Sequence, residues 1–434
     1  MPSVQVVLLS GESTWVTVEC TEQIYRLRRQ AQEQLKVGLE RLLNSTGEPL
    51  DELSTVASSK VQEGDTLTAL GRRGKLCCGA ESLAFAFLRS DGSVMTWGHD
   101  TCGGSSRRVQ RQLVDVEDVV GNNYAFAARR SDGRVVAWGE GLCGPGPVSV
   151  QLTSVVQVEA TEAAFAALRA DGQVVCWGTI QDVDQEVFEV KKLVASSKAF
   201  AALRADGRVV SWGLRTSGGD SSRVQERLME VQKIFAARNS FVAERRDGKA
   251  VIWGEFELEE DDPILESITD IQEVSSTGLA LAVLRRDGVV VVLGNSDGAK
   301  NVVEPPESLC GVRALSATHG AFAAVLRSGA VVTWGDGSCG GDSSAVKEQL
   351  RDVRSVAATS HAFAAIRDDG TVVSWGHPEN GGHSQSVQEQ LRDIHQVAGS
   401  FAAFAALRAD DLVITWGNPG AGGDIQMCQE MAGG

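Results

Sequence analysis

The sequence has no stretch of about 18 consecutive apolar residues, which is roughly what a membrane-spanning helix needs. Nor does it open on a basic segment followed by a long apolar run: residues 4–9 are only six positions long and already include Gln5. No secretory leader and no membrane span are expected, and the reading is a soluble protein of the cytoplasm or nucleus. Disulfide chemistry is equally short of support. The nine cysteines, Cys20, Cys77, Cys78, Cys102, Cys143, Cys176, Cys310, Cys339 and Cys428, form an odd set with no Cys-x-x-Cys pair, so they read as reduced thiols. Only six histidines occur, none in a His-Glu-x-x-His arrangement or a Cys/His cluster, so neither a zinc site nor any cofactor is expected.

Positive charge is also scarce. Against 57 acidic side chains stand 41 basic ones, a net charge of −16, which repels polyphosphate and favours basic partners. Direct nucleic-acid binding is therefore not expected. The excess lies beyond residue 74: residues 1–74 carry 8 basic and 10 acidic side chains, leaving 33 and 47 in the remainder. A length of 434 residues exceeds one ordinary core and suits a small domain plus a repeat array.

The array is plainly visible. A motif reading Phe-Ala-Ala, then Asp-Gly, then Val-Val-x-Trp-Gly recurs from about residue 80 onwards, most clearly over 200–213. Its tryptophan recurs as Trp97, Trp138, Trp177, Trp212, Trp253, Trp334, Trp375 and Trp416, with Leu293 standing in for one copy, at spacings of 41, 39, 35, 41, 40, 41, 41 and 41. Nine copies result. Asp206-Gly207 sits between two short apolar runs and signals a tight hairpin turn with positive φ. Phe200 and Ala202 alternate with Ala201 and Leu203, so both faces of the strand are apolar and covered. About 41 residues suits a four-stranded blade stacked between neighbours, and the fold class predicted is a mainly β repeat β-propeller. The ordinary role of the motif's Phe and Trp is core.

Polar connectors with glycine pairs join the hairpins, as in Gly218-Gly219-Asp220-Ser221-Ser222 and Gly340-Gly341-Asp342-Ser343-Ser344. Related forms begin at Gly103, Gly381 and Gly422. Glycine pairs could cradle an anion, but no Lys-Ser/Thr phosphate-loop ending follows them, and a structural turn is the simpler role. Two connectors break the pattern: the one after Trp177 is short and lacks the pair, and the one after Trp253 is the acidic run Glu255, Phe256, Glu257, Leu258, Glu259, Glu260, Asp261, Asp262. Identical loops distinguish no partner, so a specific contact is expected at such breaks. The acidic run is a candidate contact for a basic protein surface or a hard cation, although a charge run is most often a solvated loop.

With its Asp-Gly turn before a terminal Trp-Gly, the array over residues 75–434 resembles the regulator-of-chromosome-condensation repeat family, which includes an exchange factor and HERC-type ubiquitin ligases. The resemblance implies a propeller, usually of seven blades, that binds proteins through its loops. Leu293, Ser328-Gly329 and Asp410-Asp411 depart from the family pattern, as do nine copies against seven.

Residues 1–74 do not follow the repeat. They read as strand (4–9), turn, strand (15–18), a helix from Thr21 or Glu22 with Ile24, Leu27, Ala31 and Leu35 on one stripe, Gly38 as its stop, then strands at 39–43 and 66–70. This order, with Gly11 in the first hairpin and Glu63-Gly64-Asp65-Thr66-Leu67 before the last strand, resembles ubiquitin and implies a small α+β β-grasp domain. By position the recognition patch of that family corresponds to Leu9, Leu43 and Leu70, whose alternative is cover by the rest of the chain. Conjugation is not expected, because Gly71-Arg72-Arg73-Gly74 replaces a terminal Gly-Gly after Leu70, and Gly433-Gly434 follows a truncated repeat.

Catalysis has no visible machinery. Only 18 residues follow Trp416, too few for a ligase domain, and Cys428 has no histidine nearby in sequence. Cys102, Cys143 and Cys339 each lie five residues after a repeat tryptophan and read as one structural slot, while His99 and His377 each lie two residues after one. The expected function is a non-enzymatic scaffold: the propeller holds one protein and the ubiquitin-like domain recruits another, in the ubiquitin pathway or at the proteasome. The alternative is nucleotide exchange on a small GTPase, implied by the family resemblance alone.

Overall fold

The computed structural model describes residues 2–35, 37–51, 54–79, 81–140, 150–179, 187–258, 262–294, 305–306 and 309–424. The chain divides into two compact units, one comprising Met1–Lys75, Phe87–Met95 and Leu113–Glu117, the other Leu76–Ala86, Thr96–Gln112 and Asp118–Gly434.

In the first unit, β1 (Ser3–Leu8), β2 (Ser13–Thr17), β3 (Leu39–Leu43) and β4 (Thr66–Gly71) form one mixed sheet in the order β2-β1-β4-β3. The β1–β2 and β3–β4 pairs are antiparallel, and β1 and β4 run parallel. Helix α1 (Ile24–Leu35) connects β2 to β3. Alternation along β1 sends Val4, Val6 and Leu8 into a core that Ile24, Leu27 and Ala31 of the helix complete, as the three- and four-residue spacing predicts. The helix begins later than the predicted Thr21 or Glu22, because Gln23 makes an extended bridge to Thr55.

The repeats form nine three-stranded antiparallel sheets among the described residues, numbered here in chain order. Sheet 4 (Val190–Ala195, Ala199–Arg204, Val209–Gly213) is typical. Its turn glycine, Gly207, has φ +81°, and Asp206 Oδ1 accepts from the Arg208 amide at 3.0 Å, as the Asp-Gly signal predicted. Phe200 pairs across the strands with Trp212, the rings stacked 5.5 Å apart. Phe200 and Ala202 enter the core shared with sheet 3, whereas Ala201 and Leu203 enter the core shared with sheet 5, so both faces are buried.

Two expectations are corrected. Among the described residues the sheets have three strands, not four, and there are nine of them rather than the seven usual for the resembling family. The connector supplies the reason for the missing strand. After Gly213 the chain makes two short 3-10 turns, Arg215–Ser217 and Ser222–Val224, around Gly218 at φ +89°, a backbone that cannot run extended. Val224 and Leu228 drop into the core between sheets 4 and 5, and Gln225 Nε2 donates to Val209 O at 3.1 Å on the open edge of the third strand. Gln388 repeats that contact on Val372 O at 3.0 Å. A side-chain amide thus covers an edge that a fourth strand would otherwise pair.

The connector also ties neighbouring sheets together. The carbonyl of the left-handed glycine accepts the indole N–H of the next sheet's tryptophan: Trp138 from Gly103, Trp253 from Gly218, Trp375 from Gly340 and Trp416 from Gly381, at 2.9–3.0 Å. Trp97 makes the same bond to Gly422 at 3.2 Å, which links the ninth sheet to the first. First strands are clamped as well. Gln157 receives the Leu193 amide (3.1 Å) and donates to the Leu193 carbonyl (2.9 Å), and Gln396 does both for Leu76, again joining ninth to first. At the equivalent place Glu273 accepts from the Leu315 amide at 3.1 Å, but a carboxylate has no donor for the carbonyl.

Substituting Gly218 by Ala should lower the stability of the second unit by about 3 kcal/mol, since a Cβ there would lie 2.6 Å from Phe241 Cδ2 on a left-handed backbone. Gly47→Ala, at φ +83° with nothing within 4 Å, should cost the first unit only about 1 kcal/mol. Denaturant unfolding of the two variants compares them. Burial holds the Glu273 carboxyl above its ordinary range, so its ionisation costs folding stability as pH rises past 4.5. Glu273→Gln, which restores the two-way clamp, should gain about 1 kcal/mol at neutral pH, shrinking toward acid. A pH-independent difference in melting temperature would contradict this account.

Candidate functional site

Three places combine features of a site: the outer face of the first unit's sheet, the acidic connector, and a cavity in the second unit. Side chains alternate along β1, β3 and β4, and those turned away from the helix come together by register. Leu43 lies opposite Thr68, which in turn pairs with Val7 of β1. Leu70 lies opposite Arg41, and Leu9 directly follows the Leu8–Ala69 pair. The three leucines named from sequence therefore share one face. Leu9 is 80% exposed, and Leu43 and Leu70 are half-buried. Trp15, 55% exposed and opposite Gln5, stands on the same face; sequence reasoning took it only as a strand residue.

The acidic connector is more structural than its composition suggests. Glu255 accepts from Asn239 Nδ2 at 2.9 Å, Glu257 lies 3.7 Å from Arg223 Nη1, and Asp262 caps the 3-10 turn Pro263–Ser267 by accepting from the Ile264 amide at 3.0 Å. Phe256 between them is buried in the core of sheets 5 and 6. Glu259, Glu260 and Asp261 lie outside the described residues, as do Cys143, Cys428 and Gly433-Gly434.

The cavity was not foreseen. It measures about 570 Å³ and is lined by the ends of the first strands and by the turns that follow them, from all nine sheets. Most lining residues are Gly, Ala, Ser, Thr or Asn; the rest are Cys78, Glu81, Glu162, Arg238, Val274 and His319. Turn follows turn through main-chain hydrogen bonds: Asn123 N–H to Glu162 O, Glu162 to Ser197, Ser197 to Arg238, Gly278 to His319, His319 to Ser360, Ser360 to Phe401 and Phe401 to Ser82, at 2.7–3.2 Å. At Arg238 the amide instead reaches Ser276 Oγ at 2.7 Å. Local oxygen atoms hold each turn, with Thr161, Ser196, Thr318, Thr359 and Ser400 hydroxyls accepting the amide three residues on.

Sheets 1 and 5 depart from this scheme. Glu81 occupies the hydroxyl position in sheet 1, and Ala237 occupies it in sheet 5, immediately before Arg238. Arg238 Nη2 donates to Glu81 Oε1, and His319 Nε2 of sheet 7 lies 3.2 Å from the same oxygen. The His319 hydrogen bond, aided by Arg238 and opposed by partial burial, holds the Glu81 carboxyl down at about 2. Beside it His361 is driven down, first by burial and then by His319 and His377. The cluster carries permanent charge of both signs, which suits electrostatic binding. Its residues lie 157 and 238 positions from Glu81, so only superposing the repeats on one another would have exposed Glu81 and Ala237-Arg238 as departures.

The thiols carry no such signature. Burial pushes Cys78 and Cys176 up to about 12 and raises Cys339, all away from the thiolate form. Cys102 and Cys339 are buried in one slot that Ser217 and Ala421 fill in other repeats, as the five-residue spacing predicted. No group of residues suited to hold a metal ion occurs among the described residues.

No protein-family model and no curated protein matches the chain. Solved structures do. The ectodomain of the receptor kinase CR4 from Physcomitrella patens is 16% identical over 62% of this chain and 74% of that one, with a TM-score of 0.40. The CRINKLY WD40 ectodomain of the Arabidopsis thaliana receptor kinase ACR4 is 21% identical over 61% and 96%, with a TM-score of 0.39. Prp20p of Saccharomyces cerevisiae, described with its binding to Gsp1p and histones, is 16% identical over 56% and 80%, with a TM-score of 0.35.

Because Glu81 is ionised well below its ordinary range, its contribution to stability is complete above pH 4.5 and is lost as pH falls from there toward 2. Glu81→Gln should therefore melt earlier at pH 7, by the equivalent of about 1 kcal/mol for a partly exposed charged hydrogen bond. The gap from the native protein should close between pH 4.5 and 2; a constant gap across that window would exclude the ion pair as its source.

Proposed function

We propose that the protein is a non-catalytic interaction scaffold. Its repeats, taken as a nine-sheet propeller of the chromosome-condensation-regulator type, hold one protein, and residues 1–74, taken as a ubiquitin-like domain, recruit another. The observation that carries this reading is the shared face of Leu9, Leu43 and Leu70 turned away from the helix, with Leu9 and Trp15 exposed and Leu43 and Leu70 half-buried. A strand pair normally turns polar side chains outward, and an exposed tryptophan with a leucine cluster provides the aromatic and aliphatic anchors that interfaces use. The partner read by that face belongs to the ubiquitin pathway or the proteasome, and the protein works in the cytoplasm or nucleus. The net charge of −16 favours a basic surface for the partner of the array and disfavours nucleic acid.

The test substitutes Leu9, Leu43 and Leu70 together by Glu in the full chain and identifies co-purifying proteins by mass spectrometry. Because Leu9 and its neighbours face away from the core, the fold should survive, while recovery of ubiquitin-pathway or proteasomal proteins should fall at least tenfold. Undiminished recovery sinks the recruiting role. If both forms capture a small GTPase and accelerate its nucleotide release, the exchange-factor reading replaces the scaffold.

A further inference from the structure

The cavity in the second unit has the features of a small-molecule site, separate from any protein docking. Its volume of about 570 Å³ lies within the range of ligand pockets, yet Val274 is the largest apolar side chain lining it. Size therefore suits a small molecule while chemistry demands a polar one. Both departures from the repeat, Glu81 and Arg238, project into this space. They leave binding capacity unused. Arg238 and His319 both engage Oε1 of Glu81, so Oε2 has no protein partner among the described residues. Arg238 likewise commits only Nη2, which leaves Nη1 and Nε free of protein partners there.

We infer that this cavity binds a free α-amino acid. A carboxylate oxygen and guanidinium donors stand within one hydrogen bond of each other, so a ligand that engages both should carry an ammonium and a carboxylate close together, as on a single carbon. An α-amino acid does: its ammonium donates to Glu81 Oε2 and its carboxylate accepts from Arg238 Nη1 and Nε. Singly charged ligands engage one side and leave the other as it was. Asn123 and Ser275, whose side chains also line the cavity and have no side-chain partner among the described residues, are placed to meet a polar ligand side chain. Main-chain hydrogen bonds between successive turns, joined by the Ser276 and Ser360 hydroxyls, keep the walls in position, which is the preorganisation that weak polar ligands require.

Isothermal titration of the full chain with each of the twenty amino acids tests the assignment. At least one should bind saturably at a single site. Its N-acetyl derivative and its methyl ester should each bind about tenfold more weakly or worse, the loss expected for one charge-assisted hydrogen bond. Arg238→Gln and Glu81→Gln should produce the same loss, with circular dichroism confirming that they fold. Should either variant unfold, the comparison of the free amino acid with its two derivatives on the native protein decides alone. Absence of saturable binding by all twenty, or binding indifferent to acetylation and esterification, overturns the inference.

Discussion

The repeat array depends on how closely the connector of one sheet approaches the aromatic pair of the next. A glycine in the left-handed region lays its backbone against the phenylalanine edge and offers its carbonyl to the tryptophan N–H. At Gly103, Gly218, Gly340, Gly381 and Gly422 an added Cβ would lie 2.6–2.7 Å from that ring. Two requirements therefore meet in one residue: positive φ, and no side chain. A buried indole also needs an acceptor, or it carries the cost of an unmade hydrogen bond. The glycine of one repeat and the tryptophan of the next are consequently a matched pair, and the unit of the array straddles the sequence repeat.

The irregular repeats follow this rule in one case and depart from it in two. After Trp253 the glycine pair is replaced by the acidic run, and the sheet that follows has lost both aromatics, pairing Leu281 with Leu293 instead. Phe256 and Ile268 of the connector fill that core in their place. Trp212 and Trp334 follow connectors without the pair, and neither indole N–H reaches a glycine carbonyl. The acidic connector is thus first a substitute for the glycine turn, with Glu255, Glu257 and Asp262 engaged in holding it. Its charge arises on a loop that already has a packing role.

Much of this was legible because the array repeats its physics. The hairpins, the turn glycines, both apolar faces and the number of copies follow from spacing alone, as does the helix stripe of the first unit. What escaped was whatever depends on contacts between repeats. Counting residues per repeat suggested a fourth strand, since length does not distinguish an extended segment from two 3-10 turns with buried Val224 and Leu228. The residues before the first strands of sheets 2–9 were equally silent: Asp115, Ser154, Glu189, Glu230, Asp270, Asp352 and Asp393 all adopt φ of 50–55° without being glycine, and among these sheets only Gly311 betrays the position. Glu81, Arg238 and His319 are unremarkable locally and acquire meaning only when distant turns converge.

That convergence follows from how the sheets are joined. Cohesion around the cavity is carried by main-chain hydrogen bonds from turn to turn, by indole–carbonyl bonds at the connectors and by amide clamps between first strands. None of these uses the side chain at the second position of the turn. Ser82, Asn123, Glu162, Ser197, Arg238, Gly278, His319, Ser360 and Phe401 occupy that position in successive sheets, a spread of chemistry that the Phe-Ala-Ala strand beside it does not show. Where the backbone holds most of the structure, the side chain at this position is free to differ from sheet to sheet, although Ser197 and Ser360 still bond neighbouring turns. Variation then concentrates at the turns facing the cavity, and there a nearly symmetric scaffold acquires an asymmetric charge pair.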